Sequence, residues 1–409
     1  MDEEWDVLVV GAGPAGSGAG IGAAEAGAKT LVIDRKKEIG TPVQCGEVIG
    51  KSLLEMCGIT LPSSAICGRQ AYTRFLLDRR LMINNHEDYW ASVTVERKIL
   101  DKHLAQKAAM CGAVVQADTR LVSLEMDGDM IREAELVHRG ERIWVKPKVV
   151  VAADGVHSTI SKLTGRRVYP EGEVANGVEF ELVSKTNLPP CMQIFLEPEI
   201  GLGYGWIIPK GKRRANVGLG IVGEVKGRST LLRDWIETNP LVSRYFDMDG
   251  VLEVKSGEAP IPGYSGGPWK GNILFAGDSA GQTLAFVGEG IIPSFACGRI
   301  AGSVASLASK SGDLSLLRKY DGILAESMGE ELRLGAGIKD LIVRTWMRPD
   351  ISFSTKVVAC GLLMCDCLDP DDLFRMTRDE LMETTTLSSI RERLAASSRN
   401  IKVSPVHGR

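Results

Sequence analysis

The chain has 409 residues, of which 44% are hydrophobic and 25% are charged, and its formal net charge is −3. These proportions are those of an ordinary globular protein, and the length predicts two or three lobes or one large α/β domain with insertions. A net charge so close to zero gives no basic field, so we expect no nucleic-acid partner. The sequence shows no run of about 18 apolar residues, so we expect no membrane-spanning helix.

The nine cysteines are scattered along the chain without the spacing of a zinc site, so we expect no bound metal. The first residues, Met1 to Glu4, are acidic and do not resemble a secretory signal. Together these features predict a reducing, cytoplasmic location with most cysteines outside disulfides. Near the C-terminus, Cys360, Cys365 and Cys367 suggest either a metal or redox site or, because no histidine stands near them, packing thiols.

The first part of the chain predicts a βαβ unit. Residues 5–10 and 29–34 are apolar runs typical of buried parallel strands, and residues 14–27 between them predict a helix of small residues. Residues 96–111 carry apolar side chains at helical spacing. The segments that follow predict strands at residues 113–126, 131–145 and 149–155.

The turn after the first strand carries the pattern of a dinucleotide site. Gly11 permits a tight turn, Gly13 lets the backbone approach a pyrophosphate, and Gly16 allows the helix to pack closely on the strand. The start of the helix then offers N–H groups to the phosphates. Asp34 stands 21 residues beyond Gly13, where an acid accepts hydrogen bonds from a ribose. The alternative is a tight turn that binds nothing.

From about residue 165 to residue 265, short strand-like runs alternate with turns rich in Gly and Pro, which predicts a second, sheet-rich lobe. Residues 273–277 return to the style of a buried strand and lead into a long helix at residues 288–309. From residue 313 onward the sequence predicts mostly helix, ending in a frayed polar tail at residues 397–409. The strands predicted in the second lobe are residues 175–183, 192–196, 205–209 and 215–221.

A second motif, remote from the first, favours a flavin. In the segment Gly277–Gly281, Asp278 can bond the ribityl hydroxyls of FAD, although it could instead only cap a helix. The segment Gly288–Ile292 begins the long helix, whose N–H groups can point at the O2 side of a reduced flavin. Arg97 can reach the pyrophosphate or ribityl chain, or can be a solvated charge beside an acid. Because a nicotinamide enzyme has no need of a second site, the predicted cofactor is FAD.

Cys45 lies in the segment Pro-Val-Gln-Cys-Gly-Glu, in a loop that leaves the second strand toward the reactive end of such a cofactor. This segment, with the motifs above, resembles the geranylgeranyl reductase family of flavoproteins, and in particular its archaeal lipid-reducing members. The resemblance covers about residues 5 to 345 and also rests on two further segments, Ala153–Gly155 and Pro198–Pro209. It departs from the family at Ile208, where a bulky aromatic residue usually precedes the proline, so the lining of the pocket is expected to differ.

The resemblance implies an α/β fold with α+β lobes: a Rossmann-type FAD-binding domain of the p-hydroxybenzoate-hydroxylase-like class, an inserted antiparallel-sheet substrate lobe and a helical C-terminal region. Tyr204 and Trp206 are implied to line the substrate tunnel, although ordinary sheet packing would also explain them. The implied domains are residues 1–165 with 266–312, residues 166–265 and residues 313–409. The implied FAD-binding residues are Gly11, Gly13, Ala15, Gly16, Asp34, Cys45, Gly46, Arg97, Leu121, Asp278, Gly290 and Ile291.

The activity that the resemblance implies is saturation of isolated C=C bonds in the geranylgeranyl chains of archaeal-type membrane ether lipids. Reduced FAD would deliver hydride from N5 while a proton reaches the other alkene carbon, and the protein would align the alkene and exclude water. Cys45 would act as a gate or in proton transfer, although a thiol with an ordinary pKa of about 8.5 is a poor acid. The alternatives are an FAD-dependent monooxygenase of an apolar substrate and an electron-transfer flavoprotein.

The implied substrate is a geranylgeranylated glycerophospholipid or a related prenyl lipid. Because a second glycine motif for a nicotinamide cofactor is missing from the sequence, the electron donor is expected to be loosely bound NAD(P)H or a reduced ferredoxin. Peripheral contact with the inner face of the cell membrane would suit a lipid substrate. Residues 339–348 are a modest candidate for that contact, and a packed surface helix is the alternative.

Overall fold

The computed structural model describes residues 3–166, 169–223, 227–264, 266–397 and 399–406. Within it the chain forms two compact units, each built from three segments. The first unit comprises Met1–Val43, Arg97–Pro170 and Ala259–Ala336. The second unit comprises Gln44–Glu96, Glu171–Glu258 and Gly337–Arg409.

The strands in chain order are β1 (Glu3–Val10), β2 (Thr30–Ile33), β3 (Val48–Gly50), β4 (Ile66–Gln70), β5 (Thr73–Leu77), β6 (Leu81–Asn85), β7 (Ser92–Val95), β8 (Val114–Gln116), β9 (Thr119–Asp127), β10 (Met130–His138), β11 (Glu141–Ala152), β12 (Val174–Val183), β13 (Met192–Leu196), β14 (Gly203–Pro209), β15 (Arg214–Val222), β16 (Val251–Pro260), β17 (Trp269–Lys270), β18 (Ile273–Phe275) and β19 (Ile401–Pro405). The α-helices are α1 (Pro14–Glu25), α2 (Lys51–Met56), α3 (Arg97–Met110), α4 (Thr159–Leu163), α5 (Arg228–Thr238), α6 (Pro240–Ser243), α7 (Ile291–Ser311), α8 (Lys319–Ser327), α9 (Gly329–Met347), α10 (Phe353–Met364), α11 (Pro370–Arg375), α12 (Arg378–Thr384) and α13 (Leu387–Ala396).

The first unit is built on a sheet in the order β17-β18-β11-β1-β2-β8. The strands from β18 to β8 pair in parallel, and β9 and β10 form an antiparallel extension on β11. The βαβ unit predicted from the sequence is confirmed as β1, α1 and β2. The strands predicted at 131–145 and 149–155 are divided differently, because β11 is one long strand whose first half pairs with β10 and whose second half pairs with β1.

The small residues of α1 have a structural reason. Helices α1 and α7 cross with their backbones close together, so that a Cβ on Gly18 would lie 2.3 Å from the carbonyl oxygen of Phe295. In the same way, a Cβ on Gly298 would lie 2.0 Å from the carbonyl oxygen of Ala15. Among the described residues, α7 is the one helix long and apolar enough to cross a membrane, but 72% of its apolar window is buried, as in a core helix.

The second unit contains a large sheet in the order β16-β12-β15-β14-β13-β5-β6-β19 and a small sheet in the order β3-β7-β4. Alternate residues of β12 and β15 point to one face of the large sheet and pack with α5 and α6 in a hydrophobic core that includes Phe180, Leu219 and Trp235. The residues between them point to the opposite face. That opposite face, here called the polar face, carries the charged side chains described below.

The two compact units group the segments of the chain differently from the predicted domains. Residues 44–96 cluster in the second unit, because β5 pairs with β13 and continues the large sheet through β6. The C-terminal segment is mostly helical, as predicted, but residues 401–405 form β19 on β6 and are not frayed. Residues 398 and 407–409 of the predicted tail lie outside the described residues.

Candidate functional site

The glycine turn in the first unit leaves room for a ligand at one position. Gly11 has a φ of +100°, and a Cβ there would lie 2.3 Å from the carbonyl oxygen of Ala153. A Cβ on Gly16 would lie 1.7 Å from the carbonyl oxygen of Gly11. A Cβ on Gly13 would meet nothing within 4 Å, so packing within the protein does not require glycine there. Because no side chain caps the start of α1, its first N–H groups are available to a phosphate.

Asp34 lies at the end of β2, beside this turn. Its Oδ2 accepts a hydrogen bond of 2.9 Å from the N–H of Ala12, and its Oδ1 accepts one of 2.8 Å from the N–H of Lys36. The carboxylate therefore holds the glycine turn in place. Leu121 is buried in the apolar core of the first unit with Ile33, and its predicted contact with adenine stays a prediction.

The second predicted flavin motif gathers several of its residues. A Cβ on Gly290 would lie 3.3 Å from Oδ1 of Asp278, and Gly290 directly precedes α7, whose start no side chain caps. Burial raises the pKa of Asp278 to about 6, and the positive charge of Arg97 acts in the opposite direction. Arg97 itself is held by Asp101 through two hydrogen bonds of 2.8 and 2.9 Å. A Cβ on Gly277 would lie 2.8 Å from the Cβ of Ala15, so this motif also packs against α1.

These residues fit FAD. The open position at Gly13 and the uncapped start of α1 match its pyrophosphate. The buried Asp278 beside the uncapped start of α7 matches its ribityl and flavin parts. The other predicted site residues belong to the second unit. Those residues are Cys45, Gly46, Tyr204 and Trp206.

Trp206 on β14 lies over glycines of the neighbouring strand. A Cβ on Gly218 would come within 2.5 Å of the indole, and one on Gly220 within 3.1 Å, so β15 needs glycine at both positions. The indole thereby reaches across β15 to β12, where its Nε1 donates a hydrogen bond of 2.7 Å to Oε2 of Glu179. The ring of Tyr204 lies 5.8 Å from that of Trp206, measured between centroids. The predicted substrate residues are therefore part of the polar face.

The polar face is charged, and most of its ionisable side chains are buried, although those of Arg214 and Glu96 are 36% and 22% exposed. Burying an ionised side chain is strongly unfavourable unless it is paired, and these side chains are paired with one another. Lys210 Nζ lies 2.6 Å from Glu47, 2.9 Å from Glu96 and 2.9 Å from Glu181. We call the group of ionisable side chains that these and neighbouring ion pairs join the buried ion cluster; it consists of Glu47, Glu96, Glu179, Glu181, Lys210, Arg214 and Lys255.

The ion cluster fixes the loop that contains Cys45. Oε2 of Glu47 accepts hydrogen bonds from Lys210, Lys255 and Asn216 at 2.6, 2.7 and 3.0 Å. Asn216 also donates to the carbonyl oxygen of Gly46 at 3.0 Å. The N–H of Glu47 donates to Sγ of Cys45 at 3.2 Å, and Glu47 has the uncommon φ of +65°. The two lysines therefore hold the Glu47 carboxylate, and the backbone of Glu47 in turn orients the thiol of Cys45.

The carboxylates of the ion cluster have opposite pKa shifts. For Glu47, burial would raise the pKa, but Lys255 and Lys210 outweigh it and lower the pKa to about 2. For Glu179, burial dominates over the attraction of Lys255 and raises the pKa to about 7. Its Oε1 accepts no hydrogen bond, although Lys255 Nζ lies 3.3 Å away. Glu179 is thus the acid of the cluster that most readily carries a proton.

Oxygens of Glu47, Glu96 and Glu181 lie within 4.8 Å of one another, an arrangement that could hold a metal ion. The ammonium group of Lys210 already bonds to all three carboxylates and stands where a cation would bind. The C-terminal cysteines show no such arrangement. Cys360 and Cys365 are buried and donate to backbone carbonyl oxygens at 3.8 and 3.6 Å, and burial raises the pKa of Cys360 to about 12.

Sequence reasoning did not find the ion cluster. Its one local signal is the alternation in β12 and β15, where charged or polar side chains such as Glu179, Glu181 and Asn216 stand between core residues. That pattern ordinarily indicates a solvent-exposed face. What it could not show is that the loop around Gly46 and the small sheet cover this face: a Cβ on Gly46 would lie 3.1 Å from Ile208.

Comparison with known proteins shows the family to which the chain belongs. Residues 4–291 match the family model described as FAD binding domain. The digeranylgeranylglycerophospholipid reductase of Methanococcus aeolicus is 37% identical over 77% of this chain and 80% of its own length. The reductase of the same name from Methanocaldococcus jannaschii is 36% identical over 78% of this chain and 82% of its own length.

A solved structure from Thermoplasma acidophilum, described as geranylgeranyl bacteriochlorophyll reductase-like, superimposes with a TM-score of 0.80 over 97% of both chains at 24% identity. That likeness confirms the predicted fold class. The family match and the flavin motifs confirm FAD as the cofactor, whereas the individual site residues stay predictions. By its relatives and its fold, the chain belongs to the digeranylgeranylglycerophospholipid reductase family of FAD-binding oxidoreductases.

Proposed function

We propose that this protein saturates isolated C=C bonds in the geranylgeranyl chains of archaeal-type membrane ether lipids. The observation that carries the proposal is the similarity, over more than three quarters of the chain, to reductases named for this substrate class. The polar face supports it, because Tyr204 and Trp206 offer aromatic surface beside a buried acid. The two aromatic rings suit an apolar chain, and the acid suits a reaction that needs a proton.

When bound, FAD supplies the hydride for the reduction. The residues of this chain bind and orient the reactants. The glycine turn and the start of α1 hold the phosphates, while Asp278 and the start of α7 hold the ribityl and flavin parts. Trp206 and Tyr204 align the alkene and exclude water, which is the condition for hydride addition to a bond that no carbonyl polarises.

We propose that Cys45 positions or gates the reactants. Its Sγ accepts the N–H of Glu47, so the thiol is fixed by the loop. Cys45→Ala should leave FAD bound, as judged by the visible flavin spectrum, while the rate of alkene saturation changes. Cys57→Ala is the matched control, because Cys57 is also half-buried but belongs to neither the cofactor nor the substrate residues. An unchanged saturation rate in Cys45→Ala would remove the functional role of this thiol.

The test of the function is anaerobic. The holoprotein is reduced with dithionite and incubated with a geranylgeranylated glycerophospholipid, and the lipid is then measured by mass spectrometry. Saturated chains formed without oxygen support the reductase and exclude a monooxygenase. Recovery of unchanged lipid from a protein whose flavin is rapidly reoxidised by a partner protein would instead indicate an electron-transfer flavoprotein.

The electron donor is proposed to be NAD(P)H or a reduced ferredoxin. Each donor is mixed anaerobically with the oxidised holoprotein while the flavin absorbance is followed. The physiological donor should bleach the flavin within the time of a single turnover. If neither donor does so, both proposals fail.

We also propose that the protein acts in the cytoplasm, at the inner face of the cell membrane. Met347 and Phe353 are 68% and 59% exposed, and the Phe353 ring lies 5.8 Å from that of Trp346. Exposed apolar and aromatic side chains of this kind favour contact with a lipid interface. Phe353→Ser should weaken co-sedimentation with anionic liposomes, whereas Leu252→Ser, at a residue that is 58% exposed, should not. Equal binding by both variants would contradict this contact.

A further inference from the structure

The buried ion cluster contains more acids than bases. Among the described residues, its ion pairs join four carboxyl groups, those of Glu47, Glu96, Glu179 and Glu181, to three cations. If every group were ionised, one negative charge would be left in excess, and three of the four carboxyl side chains, those of Glu47, Glu179 and Glu181, are only 1%, 4% and 8% exposed. Such a charge is strongly unfavourable, so one of the carboxyl groups is expected to hold a proton.

The contacts identify which carboxyl group that is. Glu47, Glu96 and Glu181 each accept a hydrogen bond from Lys210, whereas the one cation beside Glu179 among the described residues is Lys255, whose Nζ lies 3.3 Å from Oε1 in a poorly aligned contact. Glu179 faces Trp206 from β14, Lys255 from β16 and Glu47 from the Cys45 loop. The positive charge of Lys255 stabilises the ionised carboxylate of Glu179, and the negative charge of Glu47 destabilises it. Burial also disfavours the ionised form, because the side chain is 4% exposed.

Glu179 also lies where the reaction is proposed to occur. Its Oε2 accepts the indole N–H of Trp206, a residue that the proposed function places against the alkene. The same Oε2 would lie 3.6 Å from a Cβ on Gly46, a residue predicted to contact FAD. Glu179 thus contacts the residue proposed to align the alkene and approaches a residue predicted to contact FAD.

We propose that Glu179 is the acid that supplies the proton consumed in the reduction, an inference that rests on the proposed function. The π bond of the alkene breaks, one carbon accepts the hydride supplied by reduced FAD, and the other accepts the proton of the Glu179 carboxyl group. Glu179 is left as a carboxylate and takes a proton from solvent before the next turnover. The ion cluster thus leaves Glu179 partly protonated near neutral pH, while the lysines lower the pKa of Glu47 and Glu181 and keep those two acids charged.

The first part of the test does not depend on activity. Infrared difference spectra of the oxidised holoprotein are recorded as a function of pH, and they report the C=O band of protonated carboxyl groups. The wild type should show a carboxyl band that disappears with a midpoint near pH 7. Glu179→Gln should lack this band, while Glu197→Gln, at a buried acid that accepts the indole N–H of Trp235, should keep it. A wild type without a carboxyl group that titrates in this range would overturn the proposal.

The second part measures single-turnover saturation of the prenyl lipid by dithionite-reduced holoprotein. Because glutamine still accepts the Trp206 hydrogen bond but donates no acidic proton, Glu179→Gln should bind FAD normally and saturate the alkene about 100- to 10,000-fold more slowly. In the wild type the rate should fall about tenfold per pH unit above the midpoint of the infrared band. A Glu179→Gln protein as fast as the wild type overturns the proposal even though the wild type is a reductase. A wild type that saturates no lipid overturns the proposed function instead.

Discussion

Two tryptophan–glutamate pairs lie on opposite faces of the large sheet in the second unit, and they differ in how completely the acid is satisfied. On the polar face, Trp206 donates to Glu179; on the core face, Trp235 donates to Glu197 at 3.0 Å. The faces are opposite because a Cβ on Gly205, the neighbour of Trp206 in β14, would point at the Trp235 ring. Both acids are almost completely buried.

Glu197 has partners on both oxygens. Asn239 donates to each of them at 2.8 and 2.9 Å, and Arg79 adds a charged contact of 3.2 Å. Glu179 has a bonded Oε2 and an Oε1 without a hydrogen bond. A buried acid with a complete set of partners is expected of a structural group, whereas an incomplete set beside aromatic wall residues marks a group that exchanges a proton. The comparison therefore separates a structural face from a reactive one.

The largest expected effect comes from removing a cation on the polar face. Lys255→Met would leave Glu47 with one fewer lysine and Glu179 without its cation, and breaking a buried ion pair from one side costs about 3–5 kcal/mol. The free energy of unfolding, measured by denaturant titration, should fall by that amount. Lys51→Met, which removes an exposed pair with Glu55, is the control and should change it by less than about 0.5 kcal/mol. Similar values for the two variants would show that the ion cluster does not stabilise the fold.

The next effect concerns the dependence of stability on pH. The pKa of Glu47 is about 2 in the folded protein, below its ordinary 4.5, so its stabilisation of at most about 3 kcal/mol is present above pH 4.5 and is lost as pH falls toward 2. The pKa of Glu179 is about 7, above its ordinary 4.5, so stability is lost as pH rises from 4.5 toward 7. Both contributions should appear in unfolding titrations at a series of pH values.

Variants separate the two contributions. Relative to the wild type, Glu179→Gln should gain stability between pH 4.5 and 7, and Glu47→Gln should lose the dependence below pH 4.5. Two variants whose stability runs parallel to that of the wild type at every pH would contradict the assigned pKa shifts.

The smallest effect on stability is expected from substitutions of two glycines. These substitutions also distinguish most directly between the polar face and the core face of the large sheet. A Cβ on Gly218 would displace the Trp206 ring, and a Cβ on Gly205 would displace the Trp235 ring, which lies 2.9 Å from that position. Gly218→Ala and Gly205→Ala should each destabilise the fold by about 1–3 kcal/mol through overpacking. Among the folded holoproteins, Gly218→Ala alone should lose alkene saturation. If Gly205→Ala loses it equally, the reactive site is not confined to the polar face.

Much of the first unit could be predicted from the sequence because its signals are local. Gly11, Gly13 and Gly16 stand within one turn, and Asp34 follows at a distance that one helix and one strand determine. The strands β12 and β15 were also predictable from their alternation, since their core residues recur at every second position. Short-range patterns of this kind follow from the fixed side-chain periodicity of helices and strands.

The ion cluster could not be predicted, because its partners come from distant parts of the chain. Glu47 is separated by 163 residues from Lys210 and by 208 residues from Lys255. Charged residues at alternate positions of a strand normally face water, and here the loop around Gly46 and the small sheet cover them. The C-terminal strand β19 was missed because its alternation of Ile401 and Val403 with polar residues covers only four positions, and its pairing with β6 joins distant parts of the chain.

The most direct test of the account is one anaerobic lipid assay on three dithionite-reduced holoproteins: the wild type, Glu179→Gln and Glu197→Gln. The prenyl lipid recovered after a single turnover is measured by mass spectrometry. Saturated chains are expected from the wild type and from Glu197→Gln, whereas Glu179→Gln should leave the lipid essentially unchanged over the same time. Equal saturation by all three proteins would contradict the reactive role of the polar face, and unchanged lipid from the wild type would contradict the reductase itself.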